Sequence, residues 1–166
     1  MLLVVVVWLR PGWASTTTDT FKVSAVITSG CALGSSSTSG TTDLGTLSFG
    51  TMTLLSNNVD ATSSTGAGSI VVTCTPGTAV TISLDYGVNG GSASKRYLSN
   101  GSQLLAYQLY QDAAHSTVWG NGSLAYSISS FPQTTQTYPL YGRLFSSSTV
   151  PNAGTYTDTV TVTLAY

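Results

Sequence analysis

The chain has 166 residues, of which only 7% are charged, and a formal net charge of −1. An ordinary soluble domain carries about 25% charged residues; here every acidic residue is Asp, and the basic ones are scattered at Arg10, Lys22, Lys95, Arg96 and Arg143. That balance argues against nucleic acid and anionic membrane as partners, and 42% hydrophobic residues exclude a disordered composition.

Residues 1–14 read as a secretory signal peptide. Leu2–Leu9 is an apolar run of eight residues, far short of the roughly 20 that a membrane-spanning helix needs. Arg10 and Pro11 end it, and Gly12-Trp13-Ala14 places small residues where a signal peptidase cuts. The mature chain would be exported. In an oxidising compartment its two cysteines, Cys31 and Cys74, pair by default. Closing that loop stabilises the fold by roughly 4 kcal/mol in the chain-entropy model.

The next element alternates. Phe21, Val23, Ala25 and Ile27 share one face, with Lys22, Ser24, Val26 and Thr28 on the other, so a strand is expected over 23–28. Leu44–Phe49 reads as another strand, ended by Gly50, and Ser69–Thr73 as a third, running into Cys74, Pro76 and Gly77. Ala79–Tyr86 and Leu104–Tyr110 alternate again, the latter with Leu105, Tyr107 and Leu109 on one face. Val118-Trp119 leads into the turn Gly120-Asn121-Gly122, and Leu124–Ile128 and Thr137–Leu144 follow. The chain ends in its clearest alternation, with Tyr156, Asp158, Val160, Val162, Leu164 and Tyr166 on one face and four Thr plus Ala165 on the other. Ser35–Thr42 and Ser56–Gly68 are polar and read as surface loops. Short strands between Gly/Asn turns, without helical periodicity, predict an all-β antiparallel sandwich in one domain.

Catalytic chemistry has little support in these residues. His115 is the only histidine; with Asp112 three residues earlier, beside a turn and with no third partner, it is expected to make local hydrogen bonds rather than acid–base chemistry. No metal-ligand set, phosphate loop or cofactor motif stands out, so no enzyme activity, metal or cofactor is expected. Trp119, Tyr107 and Tyr110 suit a sandwich core better than a sugar-stacking surface. Arg143, on an expected strand, is expected to pair with an Asp.

Several strings carry a resemblance. Leu109-Tyr-Gln-Asp-Ala-Ala-His-Ser-Thr-Val-Trp-Gly120, Tyr141-Gly-Arg143, and Val150-Pro-Asn-Ala-Gly-Thr-Tyr-Thr-Asp-Thr-Val-Thr-Val-Thr-Leu164 resemble the signatures of spore coat protein U domains. Gly45-Thr-Leu-Ser-Phe-Gly50, Arg96-Tyr-Leu98 and the two cysteines agree with them. The family includes subunits of archaic chaperone–usher pili. The resemblance therefore implies an incomplete immunoglobulin-like sandwich, completed by a donor strand from a neighbouring subunit. It implies 15–28 as the donor segment, with Phe21, Val23, Ala25 and Ile27 as plugs, and 29–166 as the pilin domain. It also implies Val160, Val162, Leu164 and Tyr166 on the strand that accepts the donor and pairs with the chaperone. Implied partners are neighbouring pilin copies, a periplasmic chaperone and an outer-membrane usher. The implied location is the periplasm in transit and then a cell-surface fimbrium serving adhesion or biofilm. A self-complemented coat protein and a tip adhesin remain as alternatives.

Overall fold

A computed structural model describes residues 18–34 and 43–166. The expected signal peptide, residues 15–17 of the donor segment and the expected loop at 35–42 lie outside the described residues. Ten strands are present among the described residues: β1 Cys31–Leu33, β2 Val59–Thr62, β3 Ile70–Cys74, β4 Val80–Leu84, β5 Arg96–Ser99, β6 Leu104–Tyr110, β7 Tyr126–Ile128, β8 Gln136–Tyr138, β9 Tyr141–Leu144 and β10 Val162–Ala165. One 3₁₀ turn, Gly122–Leu124, precedes β7. No described helix is long and apolar enough to cross a membrane.

All pairings are antiparallel and form three ladders: β1-β3-β8, β10-β4-β7 and β2-β9-β6-β5. Their inward faces share one core. Ile70 and Val72 of β3, Val80, Ile82 and Leu84 of β4, Tyr107 and Leu109 of β6 and Leu144 of β9 are buried with Trp119, Phe131 and Leu140. The alternation read in Ala79–Tyr86 and in Leu105, Tyr107 and Leu109 thus chose the correct faces. The expected disulfide closes between Cys31 and Cys74, which face each other in the β1–β3 ladder with Cα atoms 4.1 Å apart.

Four element expectations need correction. Residues 18–30 carry no strand and are exposed up to Gly30; alternation marks faces, but a strand exists only where a second edge accepts its hydrogen bonds. Leu44–Phe49 is not a ladder strand either. Gly45 sits at φ +88°, and a Cβ there would lie 2.0 Å from the Gly66 carbonyl, so the period of two breaks after Leu44. The polar stretch 56–68 is not all loop, for it contains β2, pairing with β9. Thr137–Leu144 is split at Pro139, which has no N–H to give a ladder; β8 joins β3, while β9 joins β2 and β6.

Candidate functional site: an open strand edge and its cleft

The expected strand over 156–166 is a ladder strand only at Val162–Ala165, and the segment before it is tied to a different sheet by one bridge. Thr157 exchanges main-chain hydrogen bonds with Ser99, the last residue of β5, at 2.9 Å each way. Four residues on, Asp85 N–H donates to the Thr161 carbonyl at 3.0 Å, and the chain continues as β10 beside β4. Asp158 fixes the crossing. Its Oδ2 accepts from the Tyr107 hydroxyl at 2.7 Å, and its Oδ1 accepts from Val88 N at 2.9 Å and Asn89 Nδ2 at 3.1 Å. This carboxylate needs a glycine beside it, since a Cβ on Gly87 would lie 1.9 Å from Oδ2. Burial, together with the Asp158 carboxylate, raises the pKa of the Tyr107 phenol, so the hydroxyl keeps its proton and donates.

Antiparallel strands alternate the direction of their main-chain groups. Because Thr161 faces β4, so do Thr163 and Ala165, and the groups of Val160, Val162, Leu164 and Tyr166 turn to the opposite edge. No described strand stands on that edge. Val160, Val162 and Leu164 are half-buried and pack on the core, whereas Tyr166 is 64% exposed.

Towards the N-terminal end of this strand lies a cleft of about 710 Å³. Residues 46–55 form one wall and residues 151–158 the other, with Leu98, Leu105 and Leu144 also lining it. Leu47 and Phe49 reach the sheet only because β9 has a glycine beneath them. A Cβ on Gly142 would lie 2.8 Å from Leu47 Cδ2 and 3.0 Å from the Phe49 ring, the close approach that a mid-strand glycine permits. Phe49 meets Tyr107 edge-on at 6.1 Å, and Leu54 stands 61% exposed on the same wall.

A second run of uncovered apolar side chains lies in the segment before β1. Phe21, Val23 and Ile27 are 87%, 86% and 88% exposed, and Ala25 is exposed with them. The segment leaves the body at Gly30, whose carbonyl accepts from Thr75 N at 2.9 Å and whose N–H donates to Thr75 Oγ1 at 3.1 Å. The structure does not bring the four expected plugs and the four expected acceptor residues together within this chain.

Three polar assemblies complete the picture, and the sequence pointed to two of them. Arg143 pairs with Asp60 through Nε–Oδ1 at 2.7 Å and Nη2–Oδ2 at 2.8 Å, and this hydrogen-bonded ion pair lowers the Asp60 pKa. Asp112 makes the expected local bonds: its carboxylate accepts from the N–H of Ser116 and Thr117 and the Ser116 hydroxyl, which holds its pKa at about 2, while its carbonyl accepts from His115 N. Arg96 is fully buried, a role that no sequence pattern announced. It donates to the Asp85 carbonyl from Nε and Nη2, to the Trp119 carbonyl at 2.8 Å and to Gln108 Oε1, with its guanidinium 5.3 Å from the Tyr86 ring. Trp119, Tyr107 and Tyr110 are all buried, so none offers a face for sugar stacking. No cluster of three metal-ligating side chains occurs among the described residues.

The model of the Spore Coat Protein U domain matches residues 17–163. The chain belongs to this family. It is 30% identical to Protein U of Myxococcus xanthus over 94% of this chain and 88% of that protein. It also resembles a chain in the crystal structure of the CsuC–CsuE chaperone–tip adhesion subunit pre-assembly complex from the archaic chaperone–usher Csu pili of Acinetobacter baumannii. There the TM-score is 0.51 at 21% identity, covering 84% of this chain and 40% of that one. At that identity the likeness concerns the fold, and the present chain spans less than half of the solved one.

Proposed function

We propose that this Spore Coat Protein U chain is a secreted structural subunit of a chaperone–usher pilus that polymerises by donor-strand complementation. The observation that carries this reading is that, among the described residues, one chain bears both an unpaired apolar segment and an unpaired strand edge, with a cleft lined in part by Leu47, Phe49, Leu54, Leu98, Leu105 and Leu144 towards the N-terminal end of that strand. Residues 15–28 of one copy lie along the free edge of β10 in the next, with Phe21, Val23, Ala25 and Ile27 pointing inward. The groups of Val160, Val162, Leu164 and Tyr166 give the ladder its hydrogen bonds, as in other cases of strand addition. Burying the three large plugs contributes on the order of 5–9 kcal/mol, with the ladder in addition. A periplasmic chaperone covers the same edge before assembly, since an uncovered edge over apolar surface invites aggregation. An outer-membrane usher delivers the fibre to the cell surface, where it supports adhesion or biofilm formation. The function is structural rather than enzymatic.

The description of the family, Spore Coat Protein U, supports a second reading, a coat protein whose segment 15–28 fills its own cleft. The test is the solution mass of a periplasmically produced 29–166 chain with and without a synthetic 15–28 peptide, beside the full chain. Open-groove polymerisation predicts a truncated chain that is unstable alone and becomes a monomer with one peptide bound, while full-length chains form head-to-tail polymers. Full-length monomers would favour the coat reading, and a stable truncated monomer that ignores the peptide would remove both. Val23→Asp in the full chain is expected to abolish polymerisation while the chaperone-bound subunit stays soluble. An unpaired charge costs several kcal/mol in the cleft and nothing on the free segment. Normal fibres from that variant would refute the assignment of the plugs.

A further inference from the structure

Three asparagines are each followed by a glycine: Asn89-Gly90, Asn100-Gly101 and Asn121-Gly122. A glycine nitrogen, with no Cβ beside it, can approach the Cγ of the preceding asparagine, which is the first step of spontaneous deamidation. The three glycines are alike. They sit at φ 76°, 89° and 57°, and a Cβ on any of them would meet nothing within 4 Å. The asparagines differ. Asn89 is half-buried, and its Nδ2 donates to the Tyr97 and Thr157 carbonyls at 2.9 Å each and to Asp158 Oδ1 at 3.1 Å. Asn100 is half-buried too, and its Oδ1 accepts from Ser102 N and Oγ at 3.0 Å each and from Gln103 N at 2.7 Å. Its neighbouring nucleophile is also engaged, because Gly101 N–H donates to Ser99 Oγ at 3.0 Å. Asn121 is exposed, and its side chain takes one bond, from the Tyr86 hydroxyl to Oδ1 at 3.1 Å. Neither its Nδ2 nor Gly122 N–H has a hydrogen-bond partner among the described residues.

We propose that Asn121 is a self-modification site of the folded chain, deamidating there while the fold shields Asn89 and Asn100. The main chain at Asn121 is extended, φ −110° and ψ 174°. Turning Gly122 N towards Cγ gives up only the Leu124 N–H bond on the Asn121 carbonyl, 3.0 Å long and on an exposed turn. Gly122 N loses its proton to hydroxide and forms the new bond to Cγ. The Cγ–Nδ2 bond breaks, and the nitrogen leaves as ammonia. Water then opens the cyclic succinimide at one carbonyl or the other, leaving aspartate or isoaspartate. Hydroxide and water are the only co-reactants. Either product puts a negative charge beside the Tyr86 hydroxyl. Isoaspartate also adds a methylene to the main chain of the turn whose Gly120 carbonyl accepts from Leu84 N–H at 3.0 Å.

The test is peptide mapping by mass spectrometry of the full chain aged in ¹⁸O-labelled water at mildly alkaline pH. One sample is folded, and a second is unfolded in guanidinium chloride. In the folded chain, amide loss at Asn121 should outpace that at Asn89 and Asn100 by at least about tenfold, the factor that one or two extra hydrogen bonds to break would supply. The new carboxylate at 121 should carry one ¹⁸O atom. In guanidinium the three sites should react alike, since the same Asn-Gly chemistry is then unshielded. Asn89 or Asn100 keeping pace with Asn121 in the folded chain would overturn the proposal. So would an intact Asn121, or a preference for Asn121 that persists in guanidinium.

Discussion

Replacing Arg96 by Leu tests whether the buried guanidinium holds the sandwich together or is merely tolerated by it. The substitution leaves the main-chain carbonyls of Asp85 and Trp119 without their donors, while Gln108 Oε1 keeps the Leu109 N–H at 2.9 Å. Two buried acceptors at ~1–3 kcal/mol each would cost about 2–6 kcal/mol. Removing the charge also returns its own desolvation penalty, the effect that lowers the Arg96 pKa in the fold. The net loss should be about 2–4 kcal/mol, a large part of the stability of an ordinary domain. Arg96→Lys keeps the charge but loses the fork that spans three acceptors, so it should recover less than half of the loss. Urea unfolding followed by Trp119 fluorescence is the assay, since this ring is buried and its own carbonyl takes one of the Arg96 bonds. With a slope of ~2 kcal/mol/M, the midpoint should fall by about 1–2 M. A midpoint within ~0.3 M of wild type, at unchanged slope, would refute the reasoning.

Two further predictions concern the loops and the disulfide. Cys31→Ser or Cys74→Ser should lower the periplasmic yield of the subunit through loss of roughly 4 kcal/mol, without changing which subunits join in a fibre; yield measured by immunoblot decides, and an unchanged yield would count against a structural role. Asp112, depressed to about 2 by the Ser116 and Thr117 bonds, contributes stability that is present above the unfolded value of about 3.9 and lost as pH falls through the folded one. Loop order read from the Thr117 amide shift should therefore hold at pH 4 and fail with a midpoint near pH 2, whereas a midpoint near the unfolded value would contradict the bonds.

Faces were legible in the sequence wherever a side chain has a consequence at short range. Val80, Ile82 and Leu84, Tyr107 and Leu109, and Val160, Val162 and Leu164 were all placed inward by alternation and do pack inward. Partnership was not legible, because it depends on residues far along the chain. Phe21–Ile27 alternates as cleanly as the last strand yet pairs with nothing described, and Val59–Thr62 looks like loop yet pairs with β9. Arg96 shows the same limit for polar groups. Its acceptors lie 11 to 23 residues away in sequence, two of them are main-chain carbonyls, and no motif encodes those. The Asp60–Arg143 pair could be half foreseen: a strand arginine calls for an acid, and register supplied the one directly opposite.

The crossing at Asp158 bears on why the open edge would need its own partner rather than any partner. Before this residue Thr157 bridges to Ser99 of β5, and after it β10 pairs with β4, so one short segment touches both sheets. A strand added along β10 therefore does more than extend a sheet. Its inward side chains would enter the same core that Val162 and Leu164 share with Leu84 and Ile82, their partners across the ladder. Register then becomes decisive, because a slip by one residue would turn Lys22, Ser24, Val26 and Thr28 inward in place of Phe21, Val23, Ala25 and Ile27, leaving one large apolar side chain where there were three. A scrambled 15–28 peptide of identical composition should for that reason fail to rescue the 29–166 chain, even though its overall hydrophobicity is unchanged. Rescue by the scrambled peptide would mean that the cleft takes apolar mass without reading its pattern, and the proposed strand pairing would have to be abandoned.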